Sequence, residues 1–79
     1  MADAAPAFLD ISRDVCPITF VKTKLELEEL PPGALLDVRI REGEPLANVT
    51  RSVVREGHQV LARDPLGGGL FLLRIRRGG

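Results

Sequence analysis

At 79 residues the chain has room for one domain, spanning 1–79, with a single core. Its 44% hydrophobic and 28% charged residues describe a globular protein, and 11 Lys and Arg against 11 Asp and Glu give no electrostatic reason to expect nucleic acid or an anionic membrane as main partner. One cysteine excludes an internal disulfide and a cysteine-rich metal site, and it suits a reducing compartment where a free thiol persists.

"AFLDIS" (7–12) alternates apolar and polar residues, with Leu9 and Ile11 facing one way and Phe8 and Asp10 the other. It reads as a first strand. A helix is expected from Pro17, because proline is tolerated at the first helical position, where its missing N–H has no partner to lose. "ELPPGA" ends that helix, since Pro31 and Pro32 cannot continue it and Gly33 turns the chain.

"LLDVRIR" (35–41) has period two: Leu36, Val38 and Ile40 on one face, Asp37, Arg39 and Arg41 on the other. It is a half-buried strand. "EGEP" reads as a turn and "LANVTRSVVREG" as a second helix, closed by Gly57. "HQVLAR" (58–63) and "LFLLRIRR" (70–77) are two more strands, joined by "DPLGGG" as a flexible hairpin connection. The order is β-α-β-α-β-β. It predicts an α/β two-layer sandwich, a mixed four-stranded sheet with two helices on one face, and a polar opposite face carrying Asp37, Arg39 and Arg41.

The lone thiol stands at an informative place. With Pro17 first in the helix, Cys16 becomes its N-cap. Unpaired N–H groups in the first turn amount to roughly half a positive charge, which stabilises a thiolate and lowers its pKa. Arg13 and, further off, Lys22 add positive charge nearby. Cysteine is a poor N-cap beside Ser, Thr, Asp or Asn, so helix stability alone does not explain it. The competing reading is a small buried hydrophobe of no chemical consequence.

The residues "LDIS…CPIT…L..L.PG..L.V", then a second helix, "EGH.V" and a hairpin ending "LLRIRRGG", resemble the TusA family of small sulfur carriers from Leu9 to Gly79. Leu9, Asp10, Cys16 and Pro17 match the family's Leu-Asp…Cys-Pro-x-Pro signature. Thr19 stands in place of the second proline, and "SRDV" replaces the usual Gly-Leu before the cysteine.

The resemblance implies that Cys16 takes sulfane sulfur from a cysteine desulfurase or a rhodanese-type donor. It would hold that sulfur as a persulfide and pass it to an acceptor protein, in tRNA thiolation, cofactor assembly or sulfur metabolism. Pro17 would position the thiol, and the Thr19 hydroxyl can satisfy a first-turn backbone group or donate to the sulfur. No cofactor and no metal are implied.

On the first helix, Phe20, Thr23, Leu27 and Leu30 form one stripe, and Ile18, Val21 and Leu25 a second. The Phe20 stripe is assigned to the core. The second stripe begins beside Cys16 and is assigned to partner docking, against the alternative that it packs on the second helix through Val49, Val53 or Val54.

His58 reads as a strand-start histidine rather than a base for Cys16. "GGG" (67–69) lacks the lysine and following helix of a phosphate loop. The start "MADAAPAFLD" has no basic region or long apolar run, and no segment approaches a membrane span, so a cytoplasmic location is expected and "NVT" (48–50) is read as an unused sequon. The "RRGG" ending suggests another carrier type, with sulfur held as a C-terminal thiocarboxylate. Against it, the chain does not open with a β-hairpin, and Gly78 and Gly79 are expected to form a mobile tail. A third possibility is a non-catalytic interaction domain with an incidental cysteine.

Overall fold

The computed structural model describes residues 7–15 and 17–78. In chain order the elements are β1 (Ala7–Asp10), α1 (Ile18–Glu28), β2 (Leu35–Arg41), α2 (Glu44–Arg55), β3 (Gln59–Gly67) and β4 (Leu70–Arg76). The sheet order is β1-β2-β4-β3. β1 runs parallel to β2, while β4 is antiparallel to both β2 and β3. The expected two-layer sandwich with a mixed sheet is what forms.

The period-two pattern of β2 sets the two faces. Leu36, Val38 and Ile40 are buried and lie opposite Ile75, Leu73 and Phe71 of β4. Leu27 from α1 and Leu46, Val49 and Val53 from α2 complete one core with them, together with Ile11. The other face carries charge in register. Arg74 grips Asp37 through two bonds, 2.7 Å from Nε to Oδ1 and 2.9 Å from Nη2 to Oδ2, and Arg39 Nη1 donates to Asp10 Oδ2 across β1 and β2 (3.2 Å). Phe8 is 60% exposed on that open side.

Three element boundaries depart by more than one residue from the sequence reading. β1 ends at Asp10, although the Ile11 N–H still donates to the Arg39 carbonyl (2.9 Å) and carries the pairing one residue on. α2 starts at Glu44, so half of "EGEP" is helical. Gly43, at φ 91°, makes the sharp entry, and Pro45 occupies the first turn, where no N–H is needed.

β3 continues through Asp64, Pro65 and Leu66 to Gly67, leaving Gly68 and Gly69 as a two-residue turn with positive φ at both positions. Pro65 is accommodated because β3 is an edge strand with register shifts on either side of that proline. On α1 the buried residues are Thr19, Thr23 and Leu27, while Phe20 and Leu30 are half-buried. The core face is thus rotated from the Phe20 stripe toward Thr19.

Candidate functional site

The connection from β1 to α1 is tied down residue by residue. Asp10 Oδ1 accepts from both the Ser12 N–H (3.0 Å) and the Ser12 hydroxyl (2.7 Å), an aspartate-led turn that bends the chain off the strand. The Asp14 N–H then donates to the Ile11 carbonyl (3.1 Å). These Ser12 bonds, reinforced by Arg39, hold the Asp10 carboxyl below the usual aspartate range despite partial desolvation. Next, Lys22 Nζ reaches back from α1 to Asp14 Oδ2 (3.0 Å). Asp10, Ser12, Arg13, Asp14, Lys22 and Arg39 line an open polar cleft of about 370 Å³ beside this loop.

Cys16 lies outside the described residues; both its neighbours are described and solvent-exposed, Val15 at 69%. Pro17, not Cys16, is the N-cap: its carbonyl accepts the first helical bond, from the Val21 N–H (3.0 Å). The expectation placed the helix one residue early because it put proline at the first helical position rather than just before it. In sequence, Cys16 is therefore the residue immediately preceding the cap.

Arg13 is exposed at the cleft rim. The positive charge expected from Lys22 is engaged by Asp14. Thr19 is fully buried, with its N–H donating to the Val15 carbonyl (3.2 Å) and its own carbonyl accepting from the Thr23 hydroxyl (2.8 Å).

Ile18, Val21 and Leu25 stay 43%, 43% and 56% exposed, so they are not packed beneath α2. With Val15, which precedes Cys16 in sequence, they are exposed apolar residues at and beyond the start of α1. Sequence reasoning had no pattern for the Asp14–Lys22 bridge, since eight residues separate a loop position from a helical one. The Asp-x-Ser spacing of the Asp10 turn was the one local signal available.

At the opposite end of α1, Arg77 and Gly78 are fastened. Arg77 Nε caps α1 by donating to the Leu27 carbonyl (2.6 Å), and Arg77 pairs by backbone with Ala34 (2.8 Å) and Gly33 (2.9 Å). The Gly78 N–H donates to His58 Nδ1 (3.0 Å), and a Cβ at Gly78 would run into the Gly57 carbonyl oxygen. The expectation of a mobile tail is thus corrected for Gly78, which turns inward; Gly79 lies outside the described residues. His58 faces Lys24, Glu28, Glu56, Arg77 and Gly78 across a second cleft, at the C-terminal half of α1. No group of three or more His, Cys, Asp or Glu among the described residues is placed to hold a metal ion, and no helix among them is long and apolar enough to cross a membrane.

Known proteins share this framework. The crystal structure of a SirA-like protein from Desulfitobacterium hafniense superposes with a TM-score of 0.80 at 23% identity, covering 92% of this chain and 99% of that one. At that identity the likeness speaks for the fold. In sequence, a protein of Archaeoglobus fulgidus named "Putative sulfur carrier protein" is 48% identical over 69 residues, 87% of this chain and 78% of the relative. A protein of the same name from Thermotoga maritima is 34% identical over 68 residues, 86% of each chain. The family model for "Sulfurtransferase TusA" matches residues 7–77, from the first residue of β1 to the arginine that caps α1. The chain belongs to the TusA family of sulfur carriers.

Proposed function

We propose that the protein carries sulfur as a persulfide on Cys16 and relays it between a donor and an acceptor protein. The observation that supports this reading best is the position of the lone cysteine, immediately before the N-cap of α1 and between two exposed residues, in a chain of this family. The positive end of a helix favours a thiolate, which is the attacking form.

The step is redox-neutral. The Cys16 thiolate attacks the terminal sulfur of a donor persulfide, and the donor's S–S bond breaks. A donor thiolate leaves, while the persulfide anion on Cys16 takes or releases a proton according to pH. Delivery repeats this with an acceptor thiolate, or another nucleophile, attacking the outer sulfur and Cys16 departing as thiolate.

Donor chemistry is that of a cysteine desulfurase or rhodanese-type enzyme, the acceptor is a protein thiol, and neither nucleic acid nor membrane is engaged directly. Pro17 and Arg13 support the thiol, the first by starting the helix and the second by its charge. Ile18, Val21 and Leu25 supply apolar docking area that a charge-neutral domain does not obtain from electrostatics.

Incubation with a desulfurase and cysteine should add the mass of one sulfur atom to the wild-type chain and none to Cys16→Ser. The thiol should titrate below the ~8.5 of free cysteine. A thiol of ordinary or raised pKa, with no adduct from several donors, overturns the reading in favour of an interaction domain with an incidental cysteine.

A further inference from the structure

The chain has one histidine, and the structure spends it on the C-terminal segment. The Gly78 N–H donates to His58 Nδ1 at 3.0 Å, so Nδ1 acts as the acceptor and the proton of the neutral ring belongs on Nε2. Both partners sit on fixed backbone. The His58 N–H donates to the Val53 carbonyl (3.0 Å), and Arg77 ties the other side through Nε to the Leu27 carbonyl (2.6 Å). The segment Arg77 and Gly78 lines two open clefts at once, one of about 450 Å³ beside α1 and one of about 470 Å³ beside Pro32 and Gln59. Four charged groups share the first cleft with His58: Lys24 and Glu28 of α1, Glu56 just past α2 and Arg77 just past β4. Two carboxylates stand against two cations there.

We propose that His58 and Gly78 form a pH-sensitive latch on the C-terminal segment, closed by the neutral imidazole and opened by its protonation. A protonated ring carries an N–H at both nitrogens. Nδ1 then meets the Gly78 N–H donor to donor, and the bond is lost. Gly78 leaves the Gly57 backbone, which it approaches so closely that a side chain would not fit, and the two clefts that share Gly57, Arg77 and Gly78 open into one another. The sign follows from the acceptor role. The latch is fully closed while His58 is neutral and is lost as pH falls through its titration, in the range of about pH 5 to 8 where histidine side chains change charge. The device does not depend on which residue carries sulfur.

Nuclear magnetic resonance of the full chain tests this without a partner or a sulfur donor. Ring nitrogen shifts should show the proton on Nε2 at about pH 8, and the Gly78 amide should titrate with the same midpoint as the single imidazole. The backbone order parameter of Gly78 should be about 0.85 at about pH 8 and fall below about 0.6 at about pH 5, while the amides of Val38 and Leu73 in the core stay unchanged. Two variants separate the acceptor from its titration. His58→Asn offers a side-chain carbonyl that accepts at either pH and should keep Gly78 ordered at both; His58→Ala offers none and should leave it mobile at both.

A Gly78 that is equally ordered on both sides of the His58 titration overturns the latch, as does a neutral ring with its proton on Nδ1. Order retained in His58→Ala overturns it too. A His58→Asn chain that follows the wild-type pH course traces the release to another group, such as Glu28 or Glu56, and refutes the role of the imidazole. Where a variant does not fold, the wild-type titration decides, because ring and amide are read in the same sample.

Discussion

Replacing Val21 with Ser and Leu25 with Lys together tests the division of α1 into a core face and a partner face. Fully burying a Val or Leu side chain is worth about 1.5–3 kcal/mol. Val21 and Leu25 are already 43% and 56% exposed, so about half of that is at stake at each. Serine keeps the β-carbon, and lysine lays its aliphatic stem over much of the same surface, which brings the expected loss for the pair to about 1 kcal/mol. In a domain of this size that lowers Tm by about 4–8 °C. Leu27→Ala supplies the yardstick. Leu27 is buried at 1% exposure, and its truncation should cost about 2–5 kcal/mol, several times the fall of the double variant. Thermal melts followed by circular dichroism rank the three proteins. Donor-to-Cys16 transfer should slow by about tenfold or more in the double variant, because buried apolar anchors commonly contribute over 1 kcal/mol to docking. Its alkylation rate should stay that of wild type. A double variant that melts at or below Leu27→Ala would place these residues in the core. One that folds well and receives sulfur at the wild-type rate removes the strip from the docking surface.

Gly78→Ala should destabilise by about 1–3 kcal/mol, because its new methyl meets the Gly57 backbone rather than a side chain that can swing away; an unchanged Tm would show that the terminus does not pack there. Acid should weaken the fold through Asp10. Its folded pKa lies below the unfolded one, so its contribution is complete above about pH 4 and disappears as pH falls through the lowered folded value. The gap in urea midpoint between wild type and Asp10→Asn should therefore narrow from about pH 6 to about pH 2.5, and a gap of equal size at both pH values contradicts the assignment.

The strands were legible where burial on one face imposes strict alternation. β2 was read to the residue because Leu36, Val38 and Ile40 have no other side to go to. β3 was cut short because Pro65 and Gly67 look like breakers. Only tertiary placement at an edge lets a strand absorb them through irregular pairing. The start of α2 was missed for a related reason. Proline and glycine in "EGEP" signal a turn and an N-terminus equally well, and it is the conformation of Gly43 that decides. On α1, apolar character favours Phe20 for the core, whereas the structure buries Thr19 and Thr23 and leaves Phe20 half-buried. The cysteine itself was legible from one residue pair. The bonds that bracket it were not, since Thr19 to Val15 is a main-chain contact and Asp14 to Lys22 joins elements whose relative placement no local pattern encodes.

The two ends of α1 also bear on the choice between carrier types. Its C-terminal end is sealed: Arg77 occupies the Leu27 carbonyl, and Gly78 is tied to His58 and pressed on Gly57. A carrier that works through a terminal carboxyl needs its last residues to extend into a partner's active site. Here residue 78 would first have to give up its bond to His58, and it has little slack, because Arg77 is held on both sides by Ala34 and by Gly33. The N-terminal end has the opposite character. Val15, Pro17 and Ile18 face solvent, the apolar strip runs away from them along the helix, and the fastening there comes from bonds that leave those side chains open. Chemistry with another protein needs access at the reacting atom and order just behind it. That combination favours the cysteine end over the glycine end as the place where sulfur is carried.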